Sequence, residues 1–364
     1  MSTLAEGSRV LSQRGDYLML EKIKITNFRC FKQLELGPFR RFNVIVGPGG
    51  SGKTTLLESI FLAGGGSAEI YLRLRRWRGL AGPISIANSR ASYESLFREL
   101  FYGFNADQGA RIELFDSLLG ARRLAIGFKG DLEFRISIKE PVGNAFIIEP
   151  IVFQWKTSAG SKESTVEVKD GQLSFTGTTD VYPAWMISPT APENYVQFYS
   201  ELSKRGDADS INEIFCRTFP QVRGIAIESA AGEFAVFAEL APHGKKIPIG
   251  VLSSGMNKYF SILTAIASNP KGVVLIDEIE GGFYYEALPQ ILKSICDFAE
   301  ENGVQIIAAT HSLELLQNFA LAMEGREEDF ALLRSIPDQD GPSDIKISRG
   351  AAAISAIRQH LEVR

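Results

Sequence analysis

The residues from Gly47 to Thr54 follow the pattern Gly-x-x-x-x-Gly-Lys-Thr, which is typical of a loop that binds the phosphates of a nucleoside triphosphate. The glycines allow backbone N–H groups to turn toward phosphate oxygens, and the following helix adds partial positive charge at its N-terminus. Lys53 is expected to contact the β- and γ-phosphates, and the Thr54 hydroxyl to bind Mg²⁺. A glycine-rich turn without a ligand is the alternative.

Two carboxylates, Asp277 and Glu278, follow the fully apolar segment Val273–Ile276. Such a segment predicts a buried strand of a parallel sheet, and ligands of parallel α/β sheets bind at the carboxyl ends of the strands. Asp277 is therefore a candidate Mg²⁺ ligand. Glu278 is a candidate general base that polarises an attacking water. Taken alone, the pair could simply end a strand at the surface.

A histidine ends the next apolar segment, Val304–Ala309, within Thr310-His311-Ser312. An imidazole at this edge of the sheet could donate a hydrogen bond to a γ-phosphate or an attacking water. The alternative is a strand-end histidine whose hydrogen bonds are satisfied by the backbone.

A second candidate anion site is the segment Leu252-Ser-Ser-Gly-Met256, which precedes an apolar-periodic helix. Small residues at a helix N-terminus present backbone N–H groups and hydroxyls to an anion. Because Gly47–Thr54 already supplies one phosphate cradle, Ser253, Ser254 and Gly255 make sense as a site for a nucleotide held by another subunit. An ordinary serine N-cap is the alternative.

The surrounding elements alternate in a way that predicts an α/β protein. Strand Phe42–Val46 precedes the phosphate loop, and a helix from Thr54 to about Ala63 follows it. Short alternating segments between residues 111 and 175 predict antiparallel strands, among them one at Leu132–Lys139. Helices are expected at Glu193–Ser203 and at Asp209–Phe219, before a hairpin.

The expected organisation has four parts. They are a mobile N-terminal extension (1–17), a first lobe (18–192) with a helical insertion (67–107) and an antiparallel β insertion (111–180), a helical lobe with the hairpin and Leu252–Met256 (193–268), and a return to the first lobe (269–364).

The composition is that of an ordinary globular protein: 364 residues, 45% apolar, with mean hydropathy near zero. The net charge of −4 provides no overall positive field that would attract nucleic acid. The three cysteines are far apart and show no metal-binding spacing, which favours reduced thiols and a cytoplasmic location. The sequence contains no apolar run of about 18 residues, the length needed to cross a membrane, so a membrane span is not expected.

These segments, in this order, resemble the ABC-type ATPase heads of the RecF/SMC/OLD class, within the AAA family ATPases of the AAA_15 or AAA_21 type. The opening Ile23-Lys-Ile-Thr-Asn-Phe-Arg29 is similar to the "I-x-N-F-R" start of that class, and Ile276–Tyr285 to its "IDEIENGLHY" segment. Gln305–Ser312 is similar to its strand before the switch histidine, and the final Leu361-Glu-Val-Arg364 to its usual end. The implied fold is a P-loop NTPase of ABC type, with a mostly parallel central sheet, an antiparallel β subdomain and a helical lobe.

The resemblance implies ATP and Mg²⁺ as ligands and hydrolysis of ATP to ADP and phosphate. Under this resemblance the phosphates are bound by Gly47, Pro48, Gly49, Gly50, Ser51, Gly52, Lys53, Thr54 and Thr55. It makes Lys53, Glu278 and His311 catalytic, and Thr54 and Asp277 the residues that serve Mg²⁺. Ser253, Ser254 and Gly255 would act in trans across an ATP-sandwiched homodimer or a higher oligomer. Arg29 would lie near the base or ribose. The glutamine that senses Mg²⁺ in this class has no clear counterpart, Gln154 being a weak candidate.

Two positions depart from the pattern of the class: Gly281 replaces an asparagine, and Tyr284 replaces a common histidine. Both would lie at the subunit interface. The class also suggests a stand-alone head that gates a separately encoded effector or nuclease, in anti-phage defence or genome maintenance. With no TOPRIM domain expected, nuclease activity within the chain is not expected either.

Other interpretations remain open from the sequence. The chain could be a non-hydrolysing nucleotide-dependent scaffold that sequesters an effector. It could also be a DNA-repair ATPase that is stimulated by DNA. A third alternative is a small-molecule kinase, although such an enzyme would have no use for Leu252–Met256. The cluster of Arg73, Arg75, Arg76 and Arg78 could contact nucleic acid, or could pair with acidic neighbours on a helix face.

Overall fold

The computed structural model describes residues 18–80, 90–129, 149–169, 172–189, 195–230, 232–242, 244–337 and 343–359. The expected N-terminal extension, the strand expected at Leu132–Lys139 and the terminal segment Leu361–Arg364 lie outside the described residues.

The strands of the described ranges are β1 (Leu20–Phe28), β2 (Phe31–Leu36), β3 (Phe42–Val46), β4 (Ala110–Asp116), β5 (Gly120–Phe128), β6 (Ile151–Thr157), β7 (Gly160–Lys169), β8 (Gln172–Thr176), β9 (Ala184–Ile187), β10 (Val222–Ala230), β11 (Glu233–Leu240), β12 (Lys245–Pro248), β13 (Val273–Ile276), β14 (Gln305–Ala309), β15 (Phe330–Ile336) and β16 (Asp344–Arg349). The helices are α1 (Lys53–Gly64), α2 (Ile70–Trp77), α3 (Arg90–Phe97), α4 (Tyr195–Arg205), α5 (Ala208–Thr218), α6 (Ile249–Leu252), α7 (Ser254–Ser268), α8 (Leu288–Glu301), α9 (Leu313–Ala322) and α10 (Gly350–Arg358).

A six-stranded sheet with the order β16-β15-β3-β14-β13-β9 forms the centre of the fold. Every neighbouring pair in it is parallel except β15 and β16, so the expected mostly parallel sheet is confirmed. Ile276 pairs with Ala308, and Ala309 pairs with Ile45. The carboxyl ends of β3, β14 and β13 therefore meet at one edge, which brings the phosphate loop, His311 and Asp277 together.

The central strands of this sheet are buried on both faces. Residues of β3, β13 and β14 are buried throughout, as strands in the middle of a parallel sheet usually are. Alternate side chains serve two cores: Val44 and Val46 pack in the core that contains α7 to α9, whereas Ile45 packs in the core that contains α1. The strand that carries the phosphate loop is thereby held between two hydrophobic layers.

The second sheet is antiparallel, seven-stranded, and ordered β2-β1-β4-β5-β6-β7-β8. The alternating segments after residue 110 thus form strands as expected, and they continue a sheet begun by the N-terminal hairpin of β1 and β2. In the helical region, the hairpin of β10 and β11 gains a third strand, β12, which the hydrophobic pattern did not indicate. A segment beginning with two lysines lacks the apolar alternation that would predict a strand.

Arg122 of β5 connects the end of α1 to the antiparallel sheet. Its Nε donates to the Ala63 carbonyl at 2.7 Å, and one terminal nitrogen donates to the carbonyls of Gly65 and Asp180, each also at 2.7 Å. The side chain is buried. Carbonyls at the end of a helix have no partner within the helix, so this guanidinium satisfies groups that would otherwise be buried without one.

We expect Arg122→Met to lower the free energy of unfolding by about 3 kcal/mol, because buried carbonyls lose their donors. Arg123→Met is the matched control on the same strand. Arg123 is half-exposed and pairs with Glu113 at 2.7 Å, and such surface pairs contribute about 1 kcal/mol or less. Guanidinium unfolding of both variants measures the difference. Equal losses would show that the Arg122 contacts contribute no more than a surface ion pair.

Candidate functional site

The phosphate loop joins β3 to α1 and is packed on one side and open on the other. Gly47 has φ +144°, and a Cβ placed there would lie 2.4 Å from the Ser335 carbonyl oxygen. At Gly49 and Gly50 a Cβ would meet no atom within 4 Å. The loop backbone is therefore supported from within and leaves its outer side free for a ligand, which is the shape that a phosphate cradle requires.

Lys53 is the first residue of α1, and its ammonium group lies across this loop. Its Nζ donates to the carbonyls of Gly47 at 2.7 Å and Pro48 at 2.8 Å. Burial lowers the pKa of Lys53, and the nearby carboxylates, Asp277 first among them, oppose that shift. The ammonium group is thus placed at the mouth of the cradle, among acidic groups that favour its charged form.

The expected metal-binding pair is in contact. Thr54 Oγ1 donates to Asp277 Oδ2 at 2.9 Å, although the two residues are 223 positions apart in the sequence. Burial raises the pKa of Asp277, and the hydrogen bond from Thr54 opposes that shift. A hydroxyl and a carboxylate oxygen fit Mg²⁺, which binds through one or two protein oxygens together with substrate phosphates and water.

Glu278 lies beside this pair in a very different environment. It is exposed and has φ +46°, in the left-handed region that few non-glycine residues adopt. The backbone turns there: Gly281 N–H donates to the Glu278 carbonyl at 2.9 Å, and Ile279 N–H donates to the Ala309 carbonyl at 3.1 Å. We call Asp277–Gly282 the catalytic turn. It buries Asp277 and presents Glu278 at the surface.

His311 follows β14 and faces the phosphate loop. It lines a cavity of about 610 Å³ together with Gly50–Thr55 and Arg29, and a second cavity of about 440 Å³ together with Gly47 and Pro48. Its backbone N–H donates to Glu280 Oε1 at 2.7 Å. The structure therefore brings His311 to the loop, as the sequence predicted for a residue that contacts the γ-phosphate.

Arg29 also lines the larger cavity, but its charge is paired within the protein. It forms an ion pair with Glu58 of α1, and Arg78 binds the same carboxylate at 2.6 Å. Burial, followed by repulsion from Arg78, lowers the pKa of Arg29 to about 10. Its Nε and one terminal nitrogen are buried and find no hydrogen-bond acceptor among the described residues. Glu58 was not identified from the sequence, although a carboxylate inside an apolar helix was an available signal.

Two members of the arginine cluster on α2 and just after it are paired with carboxylates of the same chain. Arg78 binds Glu58, and Arg75 lies 3.5 Å from Glu99. Arg73 lies over the rings of Phe61 and Trp77, at 5.6 and 5.5 Å from their centroids. These contacts favour the interpretation in which the cluster pairs with neighbours on a helix face.

Ser253, Ser254 and Gly255 stand at the start of α7. Ser253 caps the helix, since its hydroxyl accepts the Met256 N–H at 3.0 Å. Ser253 and Ser254 are exposed. Within the described part of the chain, none of the three lines either cavity formed by the phosphate loop. Ser253 therefore forms the ordinary N-cap that was the alternative, and whether Ser253–Gly255 also bind an anion stays a prediction.

Two further charged residues belong to the site and were not identified from the sequence. Lys258 of α7 donates from Nζ to the Asp277 carbonyl oxygen at 2.8 Å, and burial lowers its pKa to about 8. Glu280 accepts from His311, and its Oε2 is buried without a partner among the described residues. Lys258 precedes the buried residues Tyr259 and Phe260, and a lysine in so apolar a helix was the signal that could have revealed it.

Gln154, the weak candidate for a glutamine that senses Mg²⁺, lies in β6 of the antiparallel sheet. Its Nε2 donates to Glu163 on the neighbouring strand β7 at 2.8 Å. It is not among the residues that line the two cavities at the phosphate loop. Its hydrogen bond is a cross-strand pair, and nothing in its position supports a role at the nucleotide.

Comparison with known proteins gives a family match that covers most of the chain. The AAA_21 family model, described as "AAA domain, putative AbiEii toxin, Type IV TA system", matches residues 42–317. This range contains the phosphate loop, the catalytic turn and His311.

In the described residues, no helix is long and apolar enough to cross a membrane.

Two curated relatives align over most of this chain. An ATP/GTP phosphatase of Helicobacter pylori is 22% identical over 355 residues, which cover 86% of this chain and 90% of the relative. An OLD nuclease of Thermus scotoductus is 40% identical over 335 residues, covering 81% of this chain and 59% of the nuclease. The chain therefore spans somewhat more than half of that nuclease.

Shorter matches and one solved structure point to the same class. A RecF DNA replication and repair protein of Citrifermentans bemidjiense is 32% identical over 83 residues, 23% of each chain. The crystal structure of an Smc head bound to the C-terminal winged-helix domain of ScpA superposes with a TM-score of 0.51 at 15% identity, covering 91% of this chain and 98% of that one. This likeness shows the fold.

The chain belongs to the AAA_21 family and is an ABC-type ATPase head of the RecF, SMC and OLD class.

Proposed function

We propose that this chain binds Mg²⁺·ATP at Gly47–Thr55, closes as a homodimer around two ATP molecules, and reopens when they are hydrolysed to ADP and phosphate. The observation that carries the proposal is the division of the site. Phosphate loop, metal pair, Glu278 and His311 converge at one edge of the sheet, whereas Ser253–Gly255 lie away from that cradle. A second copy of the chain would supply the missing side.

The residues of one chain suffice for most of the hydrolytic chemistry. The N–H groups of the phosphate loop and Lys53 would bind the β- and γ-phosphates, and Thr54 and Asp277 would hold Mg²⁺, which supplies positive charge against the phosphate oxygens. Glu278 would accept a proton from the attacking water. His311 would donate a hydrogen bond to the γ-phosphate and fix its orientation.

The exposure of the catalytic turn supports closure by a second subunit. Glu278 is exposed, and a general base that faces bulk water gains little of the electrostatic advantage of an enclosed site. Tyr284 and Tyr285, just beyond the turn, are 61% and 51% exposed and lie against each other. Aromatic side chains of this kind are enriched at protein interfaces. The two departures from the class, Gly281 and Tyr284, are both exposed and would both lie at this interface.

Closure of the dimer would gate a separately encoded partner, in anti-phage defence or genome maintenance. The relatives support this part of the proposal: one is named an OLD nuclease, one a DNA replication and repair protein, and the similar Smc head binds a domain of ScpA. Contact with nucleic acid would use exposed members of the arginine cluster, among them Arg76 and Arg73.

The protein would act in the cytoplasm. Cys30, Cys216 and Cys296 are free thiols, as is usual for proteins of that reducing compartment.

We expect Ser254→Arg to reduce ATP turnover at least about 100-fold while nucleotide binding is retained, because the arginine would obstruct a γ-phosphate site used only by the partner subunit. Ser203→Arg, at an exposed serine of α4, is the matched control and should leave turnover unchanged. Phosphate release and binding of a fluorescent ATP analogue measure the two effects. If the Ser254 variant remained a monomer and kept its turnover, the nucleotide site would work alone, as in a small-molecule kinase.

We expect Glu278→Gln to slow phosphate release by about 10²–10⁴-fold without weakening ATP binding, because the amide cannot accept the proton of the attacking water. Glu301→Gln, at an exposed carboxylate at the end of α8, should behave as the parent. A parent protein no faster than its Glu278 variant would instead support a non-hydrolysing scaffold. Repeating the assay with added duplex DNA tests for a DNA-stimulated ATPase.

A further inference from the structure

An exposed aromatic residue stands at the larger of the two cavities formed by the phosphate loop. Phe104 is 67% exposed, and it lines the cavity of about 610 Å³ together with Phe101 and the loop residues Gly50–Thr55. A single exposed apolar side chain is common on protein surfaces, so exposure alone assigns no role to this ring. Its position at a nucleotide cavity is the first reason to examine it.

The backbone at Phe104 has a conformation that bulky residues rarely adopt. Phe104 has φ +59°, and Gly103 before it has φ +61°. The left-handed region is uncommon for residues other than glycine, and a large side chain there is an outlier. Such outliers persist where the surrounding structure holds them, and they cluster at ligand sites. Position and conformation together therefore require a functional explanation for Phe104.

Hydrogen bonds hold the turn that carries Phe104 against the end of β1. The Phe104 N–H donates to the Phe101 carbonyl, and the Arg29 N–H donates to the Leu100 carbonyl, each at 3.1 Å. Phe101 is buried and forms an isolated antiparallel bridge with Phe28. The backbone of the turn is thus fixed to packed elements, while the ring of Phe104 remains exposed.

The cavity offers space for the part of a nucleotide that the phosphate loop does not bind. Its volume of about 610 Å³ is within the usual range for small-molecule sites. With the phosphates on Gly50–Thr55, the ribose and base would occupy the remainder of the cavity. Every nucleobase has a flat π face, and aromatic side chains bind such faces by stacking. The exposed ring of Phe104 matches that chemistry.

We propose that Phe104 stacks on the base of the bound nucleotide and sets the affinity of the site for purine nucleoside triphosphates. This inference deepens the proposed function and rests on it. Phosphate contacts are the same for every nucleoside triphosphate, so the stacking contact is where the bases differ. A purine presents a larger face than a pyrimidine and stacks more strongly. ATP and GTP therefore bind more tightly than CTP and UTP, and Phe104 distinguishes little between the two purines.

The test compares ligands that share phosphates and differ in the base. Calorimetry in the Glu278→Gln background, where hydrolysis is slow, measures the Kd of Mg²⁺·ATP, of Mg²⁺·CTP and of inorganic triphosphate, which has no base. We expect Phe104→Ala to weaken ATP binding about tenfold, to weaken CTP binding less, and to leave inorganic triphosphate unchanged. Phe104→Tyr keeps the aromatic face and should retain the affinity of the parent.

Phe234→Ala is the matched control and should change none of these Kd values. Phe234 is 68% exposed on β11 and is not among the residues that line the two cavities at the phosphate loop. The titrations are repeated with Mg²⁺·ADP, which lacks the γ-phosphate expected to join two subunits. The Phe104→Ala loss should also appear with ADP, because stacking takes place within one chain.

An unchanged ATP affinity in Phe104→Ala would overturn the proposal. An equal loss for inorganic triphosphate would also overturn it, because Phe104 would then support the phosphate loop and not the base. A loss seen with ATP and absent with ADP would place Phe104 at the subunit interface and would likewise exclude stacking. A parent protein that binds no nucleotide would instead contradict the proposed function itself, so the two failures are distinguishable.

Discussion

The hydrogen bond between Thr54 and Asp277 is the contact on which the rest of the site depends. It joins the first turn of α1 to the end of β13, and it exists only because β3, β14 and β13 lie side by side in parallel. The register of these strands sets the height at which each loop leaves the sheet. A one-residue shift of β13 would turn Asp277 to the other face and separate it from Thr54.

The two adjacent carboxylates of the site differ in burial. Asp277 lies within the protein, bonded to a hydroxyl, where a cation would stabilise its charge. Glu278 is turned outward by a left-handed backbone conformation and remains accessible to water. Their different environments arise from one backbone turn, and that turn is held in place by α7 through Lys258 and the close approach of Gly255 to Gly282. Lys53, Lys258 and Glu280 are thus held by contacts with backbone groups, whereas Arg29 pairs with Glu58.

Much of this arrangement could be predicted from the sequence, because several of its elements have recognisable local sequence patterns. The glycine spacing identified the phosphate loop, and the largely apolar segments Phe42–Val46 and Val273–Ile276 predicted β3 and β13 with the correct bounds. The parallel sheet implied that the ends of these strands would meet. Lys258, Glu280 and Glu58 could not be placed in the same way. Lys258 and Glu58 stand out as charged residues in apolar helices and Glu280 lies in a turn, but their partners are distant in the sequence. A periodic pattern therefore does not indicate what these residues contact. Strand β12 was missed because its pairing with β11, and not its own pattern, makes it a strand.

The most direct measurement is the solution mass of the Glu278→Gln protein by light scattering, with and without Mg²⁺·ATP. We expect a mass near the 40.0 kDa of one chain without nucleotide and a doubling when Mg²⁺·ATP is added. An unchanged monomer mass would contradict it, because Ser253–Gly255 would then have no nucleotide to contact. A dimer already present without ATP would likewise contradict closure driven by the nucleotide.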